Sequence, residues 1–445
     1  MRMLGLLLVL TGLFAFSLSA DPWPAWRGPL GTGVSPDTGT PTEWSSEENI
    51  AWKSPLRGLG ISSPIVWEDR VFVTYQIGAS RLRPGNHPSL VQAGNPADAG
   101  ERPLGGARPD SAADEITLVL AAFARADGEL LWEHELLAEG TLPEVHEKRN
   151  LATPSPVTDG ERVYAWFSSG QIVAVDMEGR PVWSRHLGEE YAVFDIGWGH
   201  ASSPTVYGDR LLLVCYQPSG AYLLALDKRT GEELWKADHD SDVISYSTPP
   251  VFETPDGPQM IVNSSEGVEA YDPSTGERIW RYEQASRFPI PAPSYSDGVF
   301  YMSRGYRSGP YMAIPSGARG TISDDQLAWQ VDTGAPYVSS IIHYQGLVYM
   351  ANDLGIVSAI DAKTGERVWQ ERLGGIYTAS PVAADGKIYL VSEMGETLVL
   401  KAGRTAEVLA RNDLGEHCMA SPAIADGQLF IRTDRNLVAI GRPAR

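Results

Sequence analysis

The chain has 445 residues, including 45 Gly and 32 Pro, and a formal net charge of −20 at neutral pH. The composition, 43% hydrophobic and 21% charged, is typical of a globular protein with many turns. Nucleic acids and anionic membrane surfaces are bound through basic faces, so the acidic balance argues against both as partners.

The first residues of the chain have the pattern of a secretory signal peptide, assigned to residues 1–20. Met1 and Arg2 precede an apolar run over residues 4–18, and Ala20 marks the expected cleavage site. The run is shorter than the roughly 20 apolar residues that span a membrane. We therefore expect an exported protein, periplasmic or secreted, with no stable membrane anchor after cleavage.

Residues 21–44 follow as a leader rich in Trp and Pro. It begins Asp21-Pro22-Trp23-Pro24-Ala25-Trp26-Arg27-Gly28-Pro29. The leader precedes the repeats described next and shares no motif with them. We expect it to pack against the outside of the fold.

Two short motifs recur along the rest of the chain. The first, Ala-x-Asp-x-x-Thr-Gly-x-x-x-Trp, is complete at residues 359–369, and related copies end at Trp132, Trp183, Trp235 and Trp280. Its Asp and Gly are typical of a tight turn between two strands. The second is a Ser-Pro strand followed by a turn and another strand. Its eight copies start near residues 62, 154, 202, 248, 292, 339, 379 and 420.

Together the two motifs predict a blade of four antiparallel strands with the Ser-Pro strand innermost, because proline is tolerated at a sheet edge. Successive Trp positions lie 40 to 52 residues apart, which is the period of β-propellers. The last repeat lacks a Trp strand, and residues 49–56, around Trp52, form a Trp strand without a repeat. We therefore predict an all-β, eight-bladed propeller as a single domain over residues 45–445, closed by the N-terminal strand.

Two insertions interrupt the period of the repeats. Residues 78–114 fall between the second and third strands of blade one, and residues 315–326 replace the usual turn in blade five. A structureless insertion of the first kind is either functional or an unpacked linker, and the sequence leaves both open.

The repeat resembles that of the pyrroloquinoline-quinone (PQQ)-like, or quinoprotein alcohol dehydrogenase-like, β-propeller family. The resemblance covers roughly residues 44–442, and the Trp/Pro leader is similar to the start of BamB-like exported proteins. It implies that the Trp residues pack between blades. It also implies a Cys pair against the quinone in the dehydrogenases and a lipid-bearing Cys in BamB, but this chain has only the distant Cys215 and Cys418. We therefore expect no cofactor, with PQQ left as an alternative.

The connections between blades hold the candidate site. A propeller brings these loops together on one face, around the central channel. We propose a ligand site at this channel mouth from His146, Arg149, Asp195, Trp198, His200, Tyr246, Arg287 and Tyr337. Arg57, Phe288, Tyr377 and His417 occupy the same loops. The alternative is that large polar side chains only fill a wide, wet channel.

No catalytic or metal-binding motif stands out, since the sequence contains no HExxH, G-x-S-x-G, P-loop or CxxC. The preferred hypothesis is a non-enzymatic, monomeric binding scaffold for an envelope protein or a small ligand. The alternatives are a PQQ-dependent oxidoreductase lacking the Cys pair and a carbohydrate-binding propeller.

Overall fold

In the computed structural model, the described residues are 22–78, 80, 115–146, 148–306 and 309–442. The predicted signal peptide (1–20) and nearly all of the 78–114 insertion lie outside these ranges. The described residues form eight β-sheets, each with an antiparallel four-stranded core. The predicted eight-bladed β-propeller is confirmed.

The blades follow one another in chain order, each running from an innermost to an outermost strand. The first four are β2–β5 (Ile65–Trp67, Arg70–Ile77, Thr117–Ala124, Leu130–Leu137), β6–β9 (Val157–Thr158, Arg162–Trp166, Gln171–Asp176, Pro181–His186), β10–β13 (Thr205–Tyr207, Arg210–Gln217, Gly220–Asp227, Glu233–Asp238) and β14–β17 (Val251–Thr254, Gly257–Asn263, Gly267–Tyr271, Arg278–Glu283). The last four are β18–β20 with β22 (Ser294–Ser296, Val299–Ser303, Tyr311–Pro315, Trp329–Val331), β23–β26 (Ile342–Tyr344, Leu347–Ala351, Ile356–Asp361, Arg367–Arg372), β27–β30 (Val382–Ala384, Lys387–Val391, Glu396–Lys401, Val408–Asp413) and β31–β33 with β1 (Ala423–Ala425, Gln428–Arg432, Asn436–Ile440, Ile50–Pro55).

Helical structure within the described ranges is limited to α1 (Leu187–Glu190) and a 3-10 turn at Asp324–Gln326. In this part of the chain, neither is long or apolar enough to cross a membrane. The buried apolar side chains lie between neighbouring blades. Leu213 and Leu224 of the third blade, for example, share a cluster with Tyr164 and Ala174 of the second.

The N-terminal strand closes the ring as predicted. β1 pairs antiparallel with β33, with Trp52 opposite Ala439 and Lys53 opposite Val438. The side chains of β1 also reach the first blade, since Trp52 Nε1 donates to Arg125 O (2.7 Å) and Ser54 Oγ donates to Gly128 O (2.6 Å). β1 therefore joins the last blade to the first.

The second insertion adds a strand to the neighbouring blade. β21 (Gly320–Ile322) pairs in parallel with β17, opposite residues 280–282, and gives the fourth blade a fifth strand. Ile322 is buried in the cluster that contains Trp280. The insertion thereby covers one outer edge of a blade, where unpaired backbone groups would otherwise face solvent.

Five of the Trp residues in the outermost strands each pack against a glycine of the following blade. A Cβ added to Gly231 would lie 2.7 Å from the ring of Trp183, and Trp183 Nε1 donates to Lys228 O (3.0 Å). Gly231 also has φ +75°, a conformation that side chains with a Cβ rarely adopt. The same packing joins Trp52 to Gly128, Trp132 to Gly179, Trp235 to Gly276 and Trp329 to Gly365.

A ring of hydrogen bonds around the channel explains why Ser recurs before Pro. The Ser63 N–H donates to Ser155 Oγ in the next blade at 2.9 Å. Seven such bonds of 2.9–3.0 Å run from Ser63 to Ser155, Ser155 to Ser203, Ser203 to Thr248, Ala292 to Ser340, Ser340 to Ser380, Ser380 to Ser421, and Ser421 to Ser63. The eighth position is Ala292, which has no hydroxyl to accept from Thr248.

Ala292→Ser is expected to stabilise the protein, because it supplies the acceptor that the Thr248 N–H lacks in this ring. The expected gain in the free energy of unfolding is about 1 kcal/mol, the net value of one hydrogen bond, measured by chemical denaturation. The matched control is Ser203→Ala, which removes the acceptor of the buried Ser155 N–H and should cost about 1–3 kcal/mol. A destabilised Ala292→Ser beside a neutral Ser203→Ala would contradict this role for the ring.

The meander within each blade separates two faces of the propeller. The connections between blades and the turns between second and third strands lie on one face, which we call the mouth face. The motif turns that carry Asp and Gly lie on the opposite face, which we call the far face.

Residues 23–35 of the leader lie at the far-face end of the channel and not on the outside of the fold, which corrects our expectation for this part of the leader. Trp23 is buried and exchanges two backbone hydrogen bonds with Val66 of β2, at 2.9 and 2.8 Å. The Thr158 N–H donates to Pro24 O, and the Ser35 N–H donates to Ala383 O, both at 2.9 Å. The leader thus contacts the innermost strands of the first, second and seventh blades.

Arg27 anchors the leader in the channel. Its guanidinium is buried and donates to Ile341 O (2.7 Å), Thr32 O (2.9 Å) and Pro293 O (3.1 Å). Burial lowers the pKa of Arg27 to about 9. Because the bonded carbonyls belong to innermost strands and their approaches, the leader closes this end of the channel and leaves the mouth face as the way in.

Candidate functional site

A pocket lies on the channel axis at the mouth face. It has an empty volume of about 490 Å³, part of which is open to solvent. All eight connections between blades contribute to it. The lining residues are Ile61, His146, Lys148, Arg149, Trp198, Tyr246, Phe288, Ile290, Tyr337, Val338, Thr378 and Met419.

Aromatic rings form one side of the pocket. His146 stacks on Trp198 with ring centroids 4.4 Å apart, and Trp198 meets Phe288 edge to face at 5.4 Å. Phe288 in turn lies 6.4 Å from Tyr246 and 6.5 Å from Tyr337. Burial raises the pKa of Tyr337 to about 12, so its hydroxyl stays protonated. The rings hold one another in place and present a largely apolar wall.

Arg149 supplies a cation to this wall. Its guanidinium lies over the Tyr246 ring, 5.7 Å from the centroid, and the residue is half-buried. Among the described residues, no side chain or carbonyl makes a hydrogen bond or ion pair with this guanidinium. Burial lowers the pKa of Arg149 from its ordinary value, an effect opposed by Tyr246 and Tyr337. Arginine remains protonated in proteins, so the described part of the pocket contains a positive charge without a counter-charge.

Lys148, the second cationic side chain of the pocket, forms an ion pair with a carboxylate from another blade. Lys148 Nζ lies 2.6 Å from Glu393 Oε2, and Thr378 donates to the same carboxylate. Glu393 is in the β28–β29 turn of the seventh blade, whereas Lys148 is in the connection between the first and second blades. This buried ion pair therefore spans the channel.

Asp353 lies beside the ion pair, in the β24–β25 turn of the sixth blade. Its Oδ2 accepts the Tyr337 N–H at 3.1 Å. Burial raises the pKa of Asp353 to about 6, and the negative charge of Glu393 acts in the same direction. Sequence reasoning missed Lys148, Asp353 and Glu393. A signal was present for the two acids, which occupy equivalent positions in the repeats Asn352-Asp353-Leu354-Gly355 and Ser392-Glu393-Met394-Gly395.

The structure brings five of the eight proposed site residues into the pocket lining. These are His146, Arg149, Trp198, Tyr246 and Tyr337. Phe288, from the same set of loops, also lines the pocket.

The other three proposed residues lie elsewhere. His200 is buried beneath the wall, with its ring centroid 4.1 Å from that of Trp166, and burial lowers its pKa to about 3. Asp195 is exposed and accepts the Ser219 N–H at 3.2 Å. Arg287 is exposed at the rim, 5.3 Å over the Phe288 ring. A neutral core histidine and two surface charges do not line the pocket.

Three further residues of these loops also have other partners. Arg57 is exposed and forms ion pairs with Glu133 and Glu135. Tyr377 is buried and donates its hydroxyl to Gly374 O at 2.8 Å. His417 Nδ1 lies 3.2 Å from a backbone carbonyl, that of residue 393. These three side chains are therefore engaged with partners outside the pocket lining.

A family model described as "Outer membrane protein assembly factor BamB" matches residues 117–289, 298–379 and 353–441. These matches cover more than half of the chain. The chain belongs to this family. No curated protein sequence matches it significantly.

Solved structures of BamB and of quinoprotein dehydrogenases share the fold of this BamB-family chain. BamB from Moraxella catarrhalis is 13% identical with a TM-score of 0.53, over 74% of this chain and 94% of that one. Quinohemoprotein alcohol dehydrogenase from Comamonas testosteroni is 12% identical with a TM-score of 0.64, over 95% of this chain and 81% of that one. At such identities the similarity shows the fold alone.

The described residues do not fit a quinone held by an adjacent Cys pair and a metal ion. Cys215 lies in β11 and Cys418 precedes β31, and both thiols are buried. Burial raises the pKa of each thiol above its ordinary value. Within the described ranges, no three His, Cys, Asp or Glu side chains are grouped to hold a metal ion.

Proposed function

We propose that this BamB-family chain is an exported, non-enzymatic binding protein that takes its ligand or partner at the mouth face. The observation that carries the proposal is the pocket itself, built from all eight connections and containing the guanidinium of Arg149, which has no ion-pair partner among the residues that the structure describes. An uncompensated charge inside an aromatic wall weakens a folded protein unless a ligand uses it.

Two further observations support a binding role over a catalytic one. Among the described residues, the pocket lining has no carboxylate, cysteine or serine, so it contains neither an acid pair nor the Ser or Cys nucleophile that many hydrolases use. The rings of the wall pack on one another and on Arg149, an arrangement suited to holding a ligand in one orientation. The name of the matching family, an assembly factor, favours a partner in the cell envelope.

The proposal is tested by capture from an envelope extract with the mature chain immobilised. The mouth variant is Trp198→Ala with Tyr337→Ala, which removes two rings of the wall. The matched control is Lys363→Ala with Glu366→Ala, two exposed residues of a motif turn on the far face. We expect the mouth variant to lose a partner or ligand that the wild type and the far-face variant retain, with all three melting as folded proteins.

The same preparations test the oxidoreductase alternative. Incubated with PQQ, calcium and an alcohol, the protein is expected to leave an electron-accepting dye unreduced. Dye reduction that depends on PQQ would contradict the non-enzymatic assignment. Capture that is identical for the wild type and the mouth variant would contradict the location of the binding surface.

A further inference from the structure

Resting on the proposed function, we propose that the mouth pocket binds a monocarboxylate with an apolar body, seated with its carboxylate on Arg149. The carboxylate of a peptide C-terminus and that of a small aromatic or aliphatic acid share this chemistry. The inference names a ligand class for the pocket from its charges, walls and single entrance.

The charge balance of the pocket points to one negative charge on the ligand. Among the described residues, its lining has two cationic side chains and no carboxylate, although the chain as a whole has a net charge of −20. Lys148 is paired with Glu393 at 2.6 Å, so Arg149 is the cation of the described lining that is left to meet a ligand. A guanidinium offers a planar fork of N–H donors that matches a carboxylate in a bidentate pair.

Cationic ligands are disfavoured by the same geometry. Aromatic pockets bind ammonium groups through the faces of their rings. Here the guanidinium of Arg149 already lies over the Tyr246 ring, and Arg287 lies over Phe288 at the rim. A second cation in the pocket would meet repulsion from Arg149, and no carboxylate of the described lining would offset it.

Sugars are a weaker match to this pocket than acids. A sugar presents hydroxyl groups that need both donors and acceptors. The side chains that line the pocket are largely apolar or aromatic, including Ile61, Ile290, Val338 and Met419. Such a lining stabilises an apolar body by removing it from water and leaves most sugar hydroxyls unpaired.

The size and shape of the site set the length of the ligand. A volume of about 490 Å³ lies within the roughly 300–1,000 Å³ of small-ligand pockets. The channel beneath the pocket is occupied by the leader, where Trp26 Nε1 donates to Ser421 Oγ and Arg27 donates to the carbonyls of Pro293 and Ile341, which directly precede innermost strands. A chain entering from the mouth face therefore ends inside the pocket, which suits a terminal carboxylate.

Two exposed apolar side chains flank the site and extend the surface for a longer ligand. Leu354 follows Asp353 and is 60% exposed, and Met394 follows Glu393 and is 44% exposed. They occupy equivalent turns of neighbouring blades on the mouth face. A peptide would contact them, whereas a small acid would remain inside the pocket.

The test is calorimetric titration of the mature chain with two pairs of probes. The first pair is 3-phenylpropionate and its neutral amide, and the second is acetyl-Ala-Ala-Phe with a free or an amidated C-terminus. We expect the free acid of at least one pair to bind at least tenfold more tightly than its amide. Arg149→Gln should weaken that binding by about tenfold to a hundredfold, the value of one hydrogen bond to a charged group.

Matched variants separate a ligand contact from a structural role. Arg149→Lys keeps the positive charge and should retain part of the affinity. Arg287→Gln removes an exposed arginine that does not line the pocket, so it should leave the affinity within about twofold of the wild type. Leu354→Ser with Met394→Ser should weaken only the peptide. Peptide binding alone assigns the source as a C-terminus, and binding of phenylpropionate alone assigns a small acid.

Failure of the inference is distinguishable from failure of the proposed function. Equal binding of acid and amide, no binding of either acid, or unchanged affinity in Arg149→Gln would overturn the monocarboxylate assignment. Capture from the envelope extract that still depends on Trp198 and Tyr337 would in that case leave the binding function in place with another ligand chemistry.

Discussion

Replacing residues 49–56 with a Gly/Ser linker of equal length is expected to abolish the closed propeller and drive the protein into aggregates. The linker keeps the leader attached while removing β1 from the last sheet. The sheet edge at β33 then becomes exposed, together with the surface of the first blade that Trp52 covers. Unpaired strand edges are templates for association with other chains. Size-exclusion chromatography with light scattering and thermal unfolding measure the outcome.

A point variant provides the control for this replacement. Ser54→Ala removes only the hydrogen bond to Gly128 O and keeps the strand paired with β33. It should cost about 1 kcal/mol and leave the protein closed. If the linker variant has the hydrodynamic size and melting temperature of the wild type, β1 does not close the ring.

The fold was predictable because its evidence is repeated. Each motif copy predicts a local structure, either an Asp-Gly turn or a Ser-Pro edge strand. Because the pattern recurs, the fold does not depend on the interpretation of any one copy. The lone Trp52 strand and the incomplete last repeat have only one solution when a ring must close. The physical role of the motif residues was less visible. The contact partner of Trp183 is Gly231 in the following blade, and a spacing within one repeat cannot show a contact between blades.

The candidate site was predictable as a set of loops and only partly as a set of residues. Which face the loops share follows from strand direction, but the direction of each side chain depends on irregular backbone. His146 and His200 illustrate this, since both are buried but His146 lines the pocket and His200 packs against Trp166. The Lys148–Glu393 pair joins positions 245 residues apart, and no local pattern encodes that contact.

The leader shows a similar limit. Its Trp and Pro residues suggested an outer segment, because no repeat matched it. Arg27 instead adopts φ +63° and donates to carbonyls more than 260 residues away. A buried arginine that bonds only to carbonyls carries no sequence signature, since its partners are backbone groups available at every position.

Trp235→Ala is expected to lower the free energy of unfolding by about 3–5 kcal/mol, because it removes a large ring from the contact between the third and fourth blades. A Cβ added to Gly276 would lie 2.7 Å from that ring, and Gly276 has φ +75°. Gly276→Ala should therefore cost at least about 2 kcal/mol from backbone strain and the clash together. Asp227→Ala loses the turn hydrogen bonds that Asp227 accepts from the N–H groups of Arg229 and Thr230, and a surface ion pair with Arg229, and should cost about 1 kcal/mol. Chemical denaturation measures each.

The double variant decides whether Trp235 and Gly276 act through one contact. When Trp235→Ala is combined with Gly276→Ala, the ring is absent, so the clash cost of the alanine disappears and only its backbone strain remains. The double variant should therefore lose about 0.5–3 kcal/mol less than the sum of the two single variants.

Phenylalanine variants refine the assignment. Trp183 Nε1 donates to Lys228 O, whereas the buried Trp235 Nε1 has no partner among the described residues. Trp183→Phe should therefore cost about 1 kcal/mol more than Trp235→Phe. Strict additivity in the double variant, with equal losses for the two phenylalanine variants, would mean that the recurring Trp stabilises its own blade and not the contact with the next.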